Sequence, residues 1–190
     1  DRASLVAFAS NAYTISPLTN DYAAIESYLQ NVNTDLISSQ GTNSLNAIQE
    51  AVKAFKRSAN SSRLIVLISD GEDNENTTNQ AVKLAKDNNI NIVTIGVGTE
   101  KGGPIPVYTN GYAEDYKKDE TGSTVISHLE DKNLRELAQN TSGTYIHLEN
   151  TQEALSALTM YKAKLAKNEI ASSTTRDMNH IYQIFLGIAV

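Results

Sequence analysis

The sequence predicts an α/β domain with a doubly wound, Rossmann-like, mostly parallel sheet and helices on both faces. Two observations predict it. Short continuous runs rich in Val and Ile recur along the chain, as strands covered on both faces require. Between these runs the apolar residues fall at every third or fourth position, which is the period of a helix.

The elements follow in order. Leu5–Ala9 is the first buried run. Asn11 then turns the chain back, and Tyr13-Thr14-Ile15 forms an antiparallel edge strand beside it. Tyr22, Ile25 and Leu29 share one helical face, and Leu45, Ile48, Val52 and Phe55 share the next. Leu64–Ile68 is a second strand, Ala81, Leu84 and Ala85 mark a third helix, and Ile90–Ile95 is another strand. Gly98 to His128 has no helical period and many turn residues, so an inserted hairpin or ordered flap is expected over about 99–128. Leu134, Leu137 and Ala138 mark a fourth helix, with Gly143 as its left-handed cap. A weaker strand, Thr144–Leu148, follows. Thr151 then caps a last helix whose stripe is Leu155, Leu158, Tyr161 and Leu165.

Composition narrows function. The 190 residues carry 16 Lys+Arg against 22 Asp+Glu, a net charge of -6, which argues against sequence-independent nucleic-acid binding. Cysteine is absent. That excludes a disulfide scaffold, a Cys-based zinc site, an iron–sulfur cluster and a thiol nucleophile. The chain opens at once into its first strand, and Ile181–Val190 is an apolar run too short to span a bilayer, which takes about 20 residues. The expectation is a piece of a longer chain: a domain over 1–165, a stalk over 166–180 and the start of a transmembrane helix over 181–190.

In open α/β sheets, ligands bind beyond the carboxyl ends of the strands. Asp70, Glu72, Asp73 and Glu75 crowd one such end, and Thr42 sits on a turn after Gly41 at the start of a helix. Such oxygen donors suit a hard cation. An alternative stands beside this: the acidic residues face the positive end of the next helix, and Thr42 is an N-cap. Gly96-Val97-Gly98 lacks the third glycine of a dinucleotide loop, and Asp70–Glu75 lacks the glycine of a calcium-hand loop. There is no Gly-x-Ser-x-Gly elbow, and His128, His147 and His180 lack ligand spacing.

Taken together, LIVLISDGED, QGTNSLNAI and INIVTIGVGT resemble a von Willebrand factor type A (VWA) domain. Ser4–Tyr22, Gln40–Thr42 and Gly102–Val107 resemble, more closely, the BatB-like branch of the Bat (Bacteroides aerotolerance) family. The resemblance covers about Asp1 to Leu165. It implies a metal-ion-dependent adhesion site, with Thr42 and Asp70 as ligands and Gly41, Ser69 and Gly71 around them, taking Mg²⁺ (or Ca²⁺ or Mn²⁺). The family's Asp-x-Ser-x-Ser loop has no match in this chain. Asp35-Leu36-Ile37-Ser38-Ser39 has the wrong spacing, and the resemblance places that loop upstream of Asp1. The chain alone is therefore expected to bind the metal weakly or not at all. The resemblance also puts the loop's strand in mid-sheet, between the strands at Leu5 and Leu64. Without it, another segment is expected to fill the place, or the two halves to close up, or a second copy to supply a strand by exchange.

The expected function is a non-enzymatic interaction module of a membrane-anchored BatB-like protein. By resemblance, its partners are other Bat-family proteins and a MoxR-type AAA+ ATPase, and its place is the bacterial inner membrane with the domain in the periplasm. Lys162, Lys164, Lys167 and Arg176 pull the other way, towards a cytoplasmic domain. One alternative is a VWA subunit of a soluble MoxR- or chelatase-type AAA+ chaperone complex. Another is an enzyme of the doubly wound class, for which no nucleophile, base or cofactor loop is visible.

Overall fold

A computed structural model describes residues 1–33, 37, 41–55, 62–73, 75–109, 112–119 and 121–167. They divide into a unit over Asp1–Glu149 and a second unit from Asn150 onward.

In the first unit, β1 (Ala3–Phe8) pairs antiparallel with β2 (Ala12–Thr19), as the turn at Asn11 predicts. Next come α1 (Tyr22–Gln30) and α2 (Ser44–Phe55). The parallel sheet is β3 (Arg63–Ser69), β4 (Ile90–Gly96) and β9 (Tyr145–His147), in that order. Helix α3 (Thr78–Asp87) connects β3 to β4, and α4 (Asp131–Asn140) leads into β9. This is the doubly wound α/β plan.

The insertion is a real substructure. Strands β6 (Pro106–Thr109) and β7 (Tyr112–Tyr116) form an antiparallel hairpin, and β5 (Gly103–Pro104) pairs with β8 (Ile126–Ser127). Asn110 and Gly111 lie outside the described residues.

The core lies under α2, α3 and α4. Ile48, Ile92, Leu137 and Ala81 are fully or almost fully buried, with Val52, Leu67, Ala85 and Leu134 beside them. Burying each large aliphatic side chain contributes roughly 1.5–3 kcal/mol. Strand β4 is buried along almost its whole length. Strand β3 departs from the expected two-sided burial. Leu67 is 4% exposed but its neighbours Val66 and Ile68 are 38% and 56% exposed, so the carboxyl half of β3 is covered on one face only. The stripe on α1 also differs: the helix has no buried residue, and Tyr22 and Leu29 stay exposed.

Neither closure of the two halves nor a filling segment is found at the sheet centre among the described residues. No hydrogen-bonded pairing joins β1 to β3, and no strand lies between them. An apolar trough of about 370 Å³ separates them, floored by Ala47, Ile48, Ala51 and Phe55 of α2. The reason is α2 itself. It packs on β1 and β2 and also on α3, so both halves are fixed to one rigid spacer.

That attachment includes a polar link. Thr14 Oγ1 donates to Glu50 Oε1 at 2.9 Å, and Lys53 Nζ donates to Oε2 at 2.6 Å. The Lys53 bond first, then the Thr14 bond, hold the Glu50 carboxyl below its ordinary value of 4.5, against a smaller opposing effect of burial. A depressed carboxylate stabilises the fold above its unfolded value and loses that contribution as pH falls through the folded value. Glu50→Gln is expected to lower stability by under about 1 kcal/mol at neutral pH, because Lys53 is largely exposed and water screens the pair. Thermal melts of both chains should converge as the pH falls below the folded value of Glu50. A gap unchanged there would assign the loss to packing instead.

Two helix ends correct the reading. Gly143 is not the left-handed cap of α4. Ser142 takes that conformation, with φ 58°, and Gly143 N–H closes the turn on Ala138 O at 2.8 Å. Glycine is required at 143 because the turn lies against Ile92 of β4. In the second unit, residues 151–167 form α5. Asn150, not Thr151, caps it, its Oδ1 accepting from Gln152 N–H at 2.8 Å. Ala154 and Tyr161 are its buried positions, whereas Leu155 is exposed. Residues 168–190, which hold most of the expected stalk and the whole apolar run at 181–190, lie outside the described residues.

Candidate functional site

The carboxyl end of β3 and the amino end of α2 meet at an open depression of about 490 Å³. It is lined by Phe8, Thr42, Ser69, Asp70, Gly98 and Ser127, with Ile68 and Val97. Thr42 and Asp70, 28 positions apart in sequence, both face into it.

Local structure separates the look-alike residues. Asn43, not Thr42, is the N-cap of α2: its Oδ1 accepts from Asn46 N–H at 2.9 Å and its carbonyl from Ala47 N–H at 3.3 Å. Asp73 serves α3. Its Oδ2 accepts from Thr78 N–H at 2.9 Å and Thr78 Oγ1 at 2.8 Å, and its Oδ1 from Thr77 Oγ1 at 3.2 Å. Glu75 Oε2 accepts from Asn43 Nδ2 at 2.6 Å, tying the two loops together. The helix-end alternative thus holds for Asp73 and fails for Thr42 and Asp70.

Asp70 is held differently. Its Oδ1 accepts from Ser69 Oγ and Glu72 N–H, and its Oδ2 from Ser127 Oγ, all at 3.4 Å. These contacts orient the carboxylate without saturating it, since charge-assisted bonds are usually about 2.5–2.9 Å long. Its main chain is fixed more firmly, by Glu130 N–H donating to Asp70 O at 2.8 Å. Ser69 Oγ in turn accepts from Gly71 N–H at 3.1 Å. Gly41 and Gly71 both have positive φ, 108° and 87°, and shape the turns that carry Thr42 and Asp70. Burial first, then the charges of Asp70 and Glu130, push the Glu72 carboxyl above its ordinary range, with His128 opposing.

A hard divalent cation fits this donor set. One hydroxyl and one under-bonded carboxylate would hold it, with water completing the shell. Among the described residues, no group of three or more His, Asp or Glu is placed to hold a metal by itself. The histidines do other work: His147 Nε2 lies 3.0 Å from Gly98 O, and His128 Nδ1 lies 3.3 Å from Glu100 O. His180 is outside the described residues.

Thr42 and Asp70, singled out in the sequence, both line the depression, whereas nothing in the sequence reading singles out Asn43, Glu130 or Ser127. Asn43 carried a usable signal, because Asn directly before a helix is a favoured cap. Ser127 lies 57 positions from Asp70, and nothing in the sequence pairs them.

A profile of the von Willebrand factor type A domain matches residues 1–160. The solved structure of conserved hypothetical protein BatB from Bacteroides thetaiotaomicron is 33% identical, with a TM-score of 0.81 over 88% of this chain and 80% of that one. An aerotolerance-related membrane protein from Bacteroides fragilis is 31% identical, with a TM-score of 0.79 over 86% of this chain and 80% of that one. Proximal thread matrix protein 1 from the mussel byssus, described with a zinc-occupied MIDAS motif, shares the fold at 16% identity and a TM-score of 0.58, over 84% of this chain and 34% of that one. No curated protein sequence matches the chain.

Proposed function

The chain belongs to the von Willebrand factor type A family, and from that premise we propose that it is a BatB-like, non-enzymatic interaction module whose partners bind through a divalent cation at Thr42 and Asp70. One observation carries the reading. Asn43 and Asp73 take the two helix-capping roles, so Thr42 and Asp70 meet in the depression without either serving as a cap. A cation there supplies an open coordination position that attracts a carboxylate from another protein. Thr42 and Asp70 hold the cation, Ser69 and Gly71 shape the turn around Asp70, and Gly41 shapes the turn before Thr42. The cation is Mg²⁺, Ca²⁺ or Mn²⁺, the hard ions such oxygens select.

The partners we propose are other Bat-family proteins and a MoxR-type AAA+ ATPase, with the domain on the periplasmic side of the bacterial inner membrane. Likeness to BatB and to an aerotolerance-related membrane protein supports this setting. Among the described residues no helix is long and apolar enough to cross a membrane.

Titration calorimetry with Mg²⁺ and Mn²⁺ tests the site. The unaltered chain is expected to bind weakly, Thr42→Ala more weakly, and Asp70→Ala not at all. Unchanged binding in Asp70→Ala rejects Asp70 as a ligand.

A further inference from the structure

The inserted segment returns to the domain across the mouth of the candidate site. Its last strand and the two residues on the way into α4 make three contacts around this point. Ser127 Oγ donates to Asp70 Oδ2 at 3.4 Å, Leu129 N–H donates to Thr99 O at 3.1 Å, and Glu130 N–H donates to Asp70 O at 2.8 Å. Asp70 is therefore held through its side chain by the last strand of the insertion and through its main chain by Glu130, the residue that leads into α4. Ser127 also lines the depression directly, beside Thr42 and Asp70.

The rest of the insertion is built to transmit a displacement to that point. Ser127 belongs to β8, which pairs with β5, Pro104 lying opposite Ile126 and Gly103 opposite Ser127. Ile105 N–H continues the ladder to Val125 O, and Lys117 N–H reaches Ile105 O at 2.8 Å. The β6–β7 hairpin joins this ladder without a break in the chain at either Ile105 or Lys117. A force on the hairpin thus reaches Ser127 through paired backbone, not through a slack loop.

We propose that Ser127 is a positioning residue for Asp70, so that the inserted hairpin and cation binding are coupled. This rests on the reading of Thr42 and Asp70 as cation ligands. The hydroxyl fixes one oxygen of the carboxylate and leaves the rotamer that faces Thr42 populated before the ion arrives. Coupling is reciprocal: a cation that draws on Asp70 also steadies the hairpin, and a partner that grips the hairpin changes cation affinity.

The experiment compares the full chain with Ser127→Ala, Ser127→Thr and Asp70→Ala. Two quantities are read: Mg²⁺ affinity by calorimetry, and the rate of tryptic cleavage after Lys117 and Lys118 with and without Mg²⁺, followed by mass spectrometry. Ser127→Ala is expected to weaken Mg²⁺ about tenfold, and Ser127→Thr to restore affinity to within about twofold, because outer-shell partners of a metal ligand act at this scale. Mg²⁺ should slow cleavage in the unaltered chain and in Ser127→Thr, and not in Ser127→Ala. A merely structural serine would change cleavage equally with and without the ion. If Ser127→Ala binds Mg²⁺ like the unaltered chain while Asp70→Ala does not bind, the coupling is overturned and the cation site stands. If the unaltered chain itself takes up no Mg²⁺, the cation reading falls and the coupling with it.

Discussion

Gly143→Ala is expected to lower stability by about 3 kcal/mol or more. A Cβ built at this position falls 1.7 Å from Ile92 O and 2.5 Å from its carbonyl carbon, where real Cβ atoms keep beyond 3.0 Å. Ile92 is fully buried in the middle of β4 and cannot step aside. The turn cannot lift either, because Thr141 Oγ1 two positions earlier is bonded to Ile92 N–H. Urea unfolding measures the effect as a lower midpoint at unchanged slope. A substitution one position earlier gives the contrast. Ser142 holds φ 58°, a conformation that strains any residue with a Cβ, so Ser142→Gly should leave the midpoint unchanged or raise it. A Gly143→Ala chain as stable as the parent would show that β4 and the α4 turn are not in contact.

Gly71→Ala is expected to destabilise by about 3 kcal/mol, from two additive causes. The residue has φ +87°, and an added Cβ would lie 2.2 Å from Glu130 O. The second cause ties stability to the site. Glu130 N–H is bonded to Asp70 O, so pushing Glu130 away drags on Asp70, the proposed cation ligand. Loss of stability and loss of Mg²⁺ binding should therefore appear together in Gly71→Ala. Gly103→Ala is the control, since nothing lies within 4 Å of its added Cβ. It should change stability by no more than about 0.5 kcal/mol. Intact Mg²⁺ binding in a destabilised Gly71→Ala would separate the clamp from the site.

The fold was legible because the parallel strands of this architecture write themselves as continuous apolar runs. Leu64–Ile68 and Ile90–Ile95 both became neighbours in the sheet, in register from Arg63 opposite Ile90 to Ser69 opposite Gly96. Burial was less legible. A run such as LIVLI does not say which face is covered, and in β3 Leu67 alone is buried. The α1 stripe failed for the same reason, since a periodic pattern shows a face and not what meets it. At the site, Asp70, Asp73 and Glu75 are equivalent as letters. Only the directions of their side chains assign Asp73 to a helix end, Glu75 to Asn43 and Asp70 to the depression. Gly143 is no left-handed cap: its neighbour bears the unusual φ, and the glycine serves a close approach between elements distant in sequence, which no local pattern announces.

The buried hydroxyl at the end of α4 has a consequence for how the molecule opens. Thr141 Oγ1 donates to Leu137 O at 2.8 Å and accepts from Ile92 N–H at 3.2 Å. An amide in the middle of the most deeply buried strand is thus satisfied by a helix terminus rather than by a neighbouring strand. Its hydrogen-exchange rate will report the unwinding of α4, not the separation of β3 from β4. Helix α4 and the centre of β4 form one cooperative opening unit, and the exchange-competent state of Ile92 is reached by fraying a helix end while the sheet stays closed.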